Sequence, residues 1–185
     1  MGVPSGYTSG QVVQAVPTGI NSGFVLVATA TPTAVASVSI NNCFTSTYEN
    51  YRIIFSATAM SGAGDLTFRL RASGTDTTTN YTYQLFESYS ATYASTVNAV
   101  GTDEFYVSRM DTPVGTSSSI DIYRPQVAAR TSYTAISVFQ TTTPILVQQH
   151  VAGMQTASTQ FDGFTMLTAG TSFTGTIRVY GYSNS

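Results

Sequence analysis

The chain has 185 residues and a formal net charge of −2, and 9% of its residues are charged, against about 25% in typical soluble domains. That balance excludes a strongly basic nucleic-acid footprint, since the seven basic residues are all arginines scattered along the chain. The length suits one domain with a real core, and the supply of Thr, Val, Ile, Tyr and Phe favours pleated, half-buried surfaces over disorder.

Residues 1–23 stand apart from the rest. A Gly/Ser/Pro-rich opening leads to "QVVQAVPTGINSG", which places Val12, Val13, Val16 and Ile20 ahead of any strand pattern. Ser9 is positioned to cap a single helical turn that Pro17 ends. Four aliphatic side chains are too few for a core of their own. The expectation is therefore a short extended arm over 1–23 that docks Val12, Val13, Val16 and Ile20 on its own domain or on a neighbour, ahead of a β-sandwich domain over 24–185.

Phe24 to Ile40, "FVLVATATPTAVASVSI", falls short of the ~20 residues of a membrane-spanning helix, contains Pro32 and lacks basic flanks. Two strands broken at Thr31–Thr33 explain it better. The opening "MGVPSG" misses the myristoylation pattern, because Gly6 stands where Ser or Thr is required. No membrane partner is expected.

From Phe24 onward, strand signals recur at short intervals. Alternation and β-propensity predict strands at Phe24–Ala30, Ala34–Ile40, Arg52–Met60, Leu66–Ala72, Tyr81–Phe86, Glu104–Arg109, Ser118–Tyr123, Thr134–Gln140, Ile145–Val151, Phe164–Leu167 and Gly175–Tyr182. Breakers such as "MSGAGD", "SGTDTTTN" and "TTTP" separate them. No window reads as a long amphipathic helix. The predicted class is all-β, a single antiparallel β-sandwich of jelly-roll type. Phe161–Leu167 and Gly175–Tyr182 are expected to pair as a hairpin around Gly170, and the face carrying Tyr180 and Tyr182 is expected to be core.

Reactive groups are scarce. His150 is the only histidine, so no second histidine makes metal spacing and a Ser-His-Asp triad could use no other base; it reads as a structural or surface residue. Asp65, Asp76, Glu87, Asp103, Glu104, Asp111, Asp121 and Asp162 nominate no carboxylate pair or calcium site by spacing, and most sit where Asp bonds a turn's backbone. Cys43 is alone, which rules out an internal disulfide, and it reads as a small buried hydrophobe. Tyr81, Tyr83, Tyr89 and Tyr93 read as packing at alternate strand positions, with sugar stacking the competing use. No cofactor, metal or catalytic residue is expected.

Three stretches carry a family likeness: "SGYTSGQVVQAVPTGINSGFV", "FTSTYENYRIIF…LTFRLRASGTDTTTNYTYQ" and "FDGFTMLTAG…GTIRVYGYSN". Together they resemble small virion proteins of tailed bacteriophages, especially those infecting cyanobacteria and other aquatic bacteria. The resemblance implies a non-enzymatic particle component, made in the host cytoplasm and placed on the virion surface. Its implied partners are copies of itself, as a homotrimer, and the major capsid protein or other virion proteins. The first expectation is a capsid decoration (cement) protein. The alternatives are a tail-fibre component recognising a host glycan and, from a different class, a jelly-roll carbohydrate-active enzyme.

Overall fold

The computed structural model describes residues 23–90, 93–111 and 115–183. The arm and its expected contacts Val12, Val13, Val16 and Ile20 lie outside these described residues. Within them run β1 (Phe24–Ala30), β2 (Ser37–Ile40), β3 (Asn50–Met60), β4 (Gly64–Ala72), β5 (Thr75–Asp76), β6 (Tyr81–Ser90), β7 (Tyr93–Thr102), β8 (Phe105–Met110), β9 (Ser117–Tyr123), β10 (Thr131–Gln140), β11 (Leu146–Gln155), β12 (Gly163–Thr168) and β13 (Phe173–Tyr182). No helix occurs among them, and every strand pairing is antiparallel.

The strands form two packed sheets. The larger has the order β1-β13-β3-β9-β10-β11-β6-β7; the smaller has β2-β12-β4-β5, with β8 also pairing β4. Setting aside two hairpins and the two-residue β5, β1-β13-β3-β9 faces β2-β12-β4-β8, which is the pairing order of a jelly roll. The hairpins β6–β7 and β10–β11 both join the larger sheet beyond β9. They widen one layer and leave the other at its original size.

Alternation explains why the layers pack. In β3, Tyr51, Ile53, Phe55 and Ala57 are buried and the residues between them are not; in β13, Phe173, Ile177 and Val179 do the same. The smaller sheet answers with Leu66, Phe68 and Leu70 from β4 and Phe164 and Met166 from β12. Aromatic rings fill the middle. Phe105 lies 4.0 Å from Tyr133, 4.6 Å from Tyr81 and 4.9 Å from Phe68, centroid to centroid.

Buried tyrosines bring a hydroxyl into the core, and each finds a backbone partner. Tyr51 donates to the Thr45 carbonyl at 2.7 Å, Tyr81 to that of Thr77 at 3.0 Å, and Tyr133 to that of Tyr106 at 2.7 Å. The first two tie loops to the strands that carry the rings, and the third ties β10 to β8 of the other sheet. Gly153 on β11 is required by the same packing, since a Cβ there would meet the Thr82 carbonyl oxygen at 2.4 Å and the Tyr133 ring at 2.6 Å.

Two expectations are corrected. Phe161–Leu167 and Gly175–Tyr182 do not form a hairpin: β12 pairs β2 and β4, while β13 pairs β1 and β3. The turn at Gly170 (φ 71°) carries the chain from one sheet to the other, so that Phe164 and Phe173 enter the same core from opposite layers. Nor is the Tyr180/Tyr182 face core. Those rings lie on the outer side of β13, half-buried, opposite the buried Ile177 and Val179.

Candidate interaction face

The cross-strand register assembles the outer side of the larger sheet row by row. One row runs Arg178–Ile54–Ser119–Ile136–His150–Phe86–Thr96, and the next runs Tyr180–Arg52–Asp121–Thr134–Ala152–Gln84–Asn98. Nine large hydrophobic side chains are exposed among the described residues, and eight of them stand on this face. They are concentrated on the added hairpins. Ile136 is 54% exposed, Phe86 48%, Leu146 66% and Val100 77%. Val97, the ninth, faces the inner side where β7 overhangs the smaller sheet.

Small residues at the centre make this surface concave. Ala152 and Thr134 form the floor of a shallow concavity of about 630 Å³, and Phe86, Ile136, His150 and Thr96 rise around it. His150 is exposed there, its ring nitrogen Nε2 hydrogen-bonded to the Gln148 amide. It is a surface residue flanked by apolar neighbours, in agreement with the sequence.

Charge on this face is confined to one end. Arg52 donates to both carboxylate oxygens of Asp121, at 2.7 and 2.6 Å, and its guanidinium lies 5.0 Å from the centre of the Phe24 ring. The Tyr182 hydroxyl donates to the same carboxylate. Burial alone would raise the Asp121 pKa, but these donors outweigh it and hold the group below its ordinary value. Tyr182 is pushed up to about 12 by burial and by the carboxylate it bonds. Arg178 is the remaining charge at a strand position of this face, and it makes no ion pair among the described residues.

The smaller sheet turns a different chemistry outward. Arg69 bridges Asp103 at 2.7 Å and Glu104 at 3.2 Å. Arg71 donates to Ser39 Oγ at 2.8 Å, to Thr165 Oγ1 at 2.6 Å, to Asp76 and to the Gly74 carbonyl. Ser73 (φ 51°) and Gly74 (φ 78°) make the tight turn that swings Asp76 back to this arginine. Asp76, Asp103, Glu104 and Asp121 therefore answer arginines rather than the turn backbones expected of them. Asp162 does accept a backbone N–H, from Ser73 at 2.8 Å, but in a loop distant in sequence.

Where β6 and β7 overhang, a polar pocket collects Asp65, Glu87, Arg109, Tyr83 and Tyr106. Spacing in the sequence did not bring Asp65 and Glu87 together; the fold does. The fully buried Gln149 organises the pocket. Its amide nitrogen donates to Glu87 and, at 3.1 Å, to the Tyr106 hydroxyl, while its carbonyl accepts the Arg109 N–H at 2.9 Å. Burial raises the Asp65 pKa, Arg109 opposes that shift, and Glu87 adds to it. Among the described residues, no group of three or more His, Cys, Asp or Glu side chains is placed to hold a metal. Cys43 is buried, and desolvation pushes its thiol up to about 12.

Comparison adds no relative. The chain matches no protein-family model, no curated protein and no solved structure.

Tyr81 is fully buried and Tyr83 stacks on Tyr106, 5.8 Å between centroids, so both serve packing as the alternation implied. Sequence reading missed the exposed hydrophobic face. Its signal was present: Ile136 and Val138 alternate with the buried Ala135, Ser137 and Phe139, which makes β10 hydrophobic on both sides.

Proposed function

We propose that this chain is a non-enzymatic structural protein of a tailed-phage particle, a capsid decoration protein that sits on the outer shell as a homo-oligomer and stabilises it. The observation that carries the proposal is the contrast between the sandwich's two outer surfaces. One bears arginine-centred ion pairs suited to water. The other is broad and nearly uncharged and exposes eight large hydrophobic side chains among Ser, Thr, Asn and Gln, which is the character of a surface meant to be covered by protein. The phage assignment rests on the resemblance of the three stretches quoted above. An arm bearing Val12, Val13, Val16 and Ile20 supplies a second contact to a neighbour under this reading.

A tail-fibre role is the second reading. One observation favours it: Gln84, Asn98 and Thr134 sit beside Tyr123 along the outer concavity, an amide-and-aromatic grouping suited to sugar hydroxyls and ring faces. Labelling the chain in intact particles separates the two. Dense, regular labelling over the shell is expected for decoration; label confined to the tail would replace that reading with the fibre, and absence from particles would overturn both. Purified protein is expected to hydrolyse no glycan, and turnover abolished by Glu87→Gln would overturn the non-enzymatic assignment.

A further inference from the structure

We infer that the outer face of the eight-stranded sheet docks onto a second copy of this chain, with the β10–β11 and β6–β7 hairpins at the centre of the contact. The inference rests on the structural-protein reading above and assigns that reading's self-association to one surface.

Three observations converge on this occupant. The first is area. Eight strands at ~4.8 Å spacing span about 34 Å, and seven residues along a strand add about 24 Å, so the face offers roughly 800 Å². That matches the area each partner contributes to an interface of standard size. The second is charge. Beyond the internally paired Arg52 and Asp121, strand positions of this face carry only Arg178. The face therefore meets itself with little like-charge repulsion, and it offers a charged partner few complementary groups.

The third is the placement of exposed apolar side chains. Ile136, Val138, Phe86 and Leu146 lie on strands added beyond the eight-strand frame, while the opposite sheet keeps its charged exterior. These hairpins give Tyr81, Leu85, Tyr133 and Phe139 to the buried interior on one side and expose Phe86, Ile136, Val138 and Leu146 on the other. Alternate residues such as Ala135 and Val151 do face inward, but the outward set stays uncovered in the single chain. A second copy covers it without requiring a second gene product.

The test uses the full chain and measures molar mass by size-exclusion chromatography with light scattering over a wide concentration range. The native chain is expected to form a dimer, because one face meeting its own copy closes on two chains. Ile136→Glu with Phe86→Glu is expected to run as a folded monomer, its far-UV circular dichroism unchanged, because both side chains already touch solvent in the single chain. Ile136→Thr with Val138→Thr keeps β-branched residues in the strand and is expected to weaken association by roughly tenfold or more. Ser39→Glu, on the other sheet, is expected to leave the oligomer intact.

A native chain that stays monomeric at all concentrations would overturn the inference, as would a glutamate variant that retains the native mass. So would loss of the oligomer on deleting residues 1–22 combined with no effect of the face variants, since the arm would then be the contact. Labelling of particles is independent of these results, so the dimer face and the virion role fail separately.

Discussion

The two outer surfaces of this sandwich are built on the same alternating pattern and come out opposite in character. On β4 of the smaller sheet, the outward positions are Asp65, Thr67, Arg69 and Arg71, and both arginines are locked into ion pairs. On β10 of the larger sheet, the outward positions are Ser132, Thr134, Ile136 and Val138, with no charge at all. A chain with so few charged residues has placed most of its ion pairs on one layer. Low overall charge therefore does not mean a uniformly bland surface: among the described residues, three of five ion-paired contacts gather on the smaller sheet's side.

The comparison breaks most completely where both faces share support. Phe105 packs between the layers among Phe68, Tyr81 and Tyr133. Phe105→Ala is expected to cost about 3–5 kcal/mol, visible as a lower urea midpoint, and to loosen both surfaces together. A loss below ~1 kcal/mol would mean that the ring cluster is not the centre of the fold.

Arg71→Ala tests the charged layer alone. It strands Asp76 and removes donors to Ser39, Thr165 and the Gly74 carbonyl. The expected cost is about 2–3 kcal/mol, which lowers the calorimetric Tm by roughly 4–12 °C for a domain of this size. An unchanged Tm would show that the network is ornamental.

Asp121→Asn tests the one strong ion pair on the apolar layer. The loss at neutral pH is expected to be about 1–2 kcal/mol, because two charge-assisted bonds from Arg52 are weakened. The folded pKa of Asp121 is depressed, so its stabilisation is complete above the unfolded value of about 3.9 and disappears as pH falls through the lower folded value. Tm values of the native and variant chains should therefore differ at pH 7 and converge in acid once the pH falls below the depressed folded value. A difference that persists there would assign the effect to packing instead of charge.

Ile136→Thr should have the smallest effect on the single chain. The side chain is half exposed, so the stability of the monomer is expected to change by no more than ~0.5 kcal/mol. Equilibrium unfolding at low protein concentration measures it. A larger loss would place Ile136 in the monomer's own core and remove the sharpest element of the contrast.

Much of this architecture was legible in the chain. β1 matches its predicted span, and ten other predicted strands overlap observed ones, because period-two alternation and turn residues are local signals. β7 was missed, since "YASTVNAVGT" has little alternation and gains its place by pairing β6, aided by a bulge at Gly101 (φ 71°). The false hairpin of β12 with β13 has the same root. Two adjacent strands joined by a Gly turn look alike whether they pair or face each other across a core, and the choice is made by partners more than a hundred residues away. The candidate face was illegible for a further reason: it depends on which strands become neighbours, and the register that joins Ile136, His150 and Phe86 spans three separate stretches of chain.

β13 lies between β1 and β3, and β12 between β2 and β4. During synthesis this ordering has a cost in time. β1 is made before the other described strands, and its partner strand, residues 173–182, is made after all of them. Until then "FVLVATA" has no hydrogen-bonding neighbour, and closing the gap means bringing Phe24 to Tyr182 across almost the whole chain. An interrupted translation product that stops after β12 would carry an orphan hydrophobic strand prone to pair with other nascent chains. The same interlock that seals both sheets in the folded molecule thus leaves β1 without its partner in any product that lacks residues 173–182.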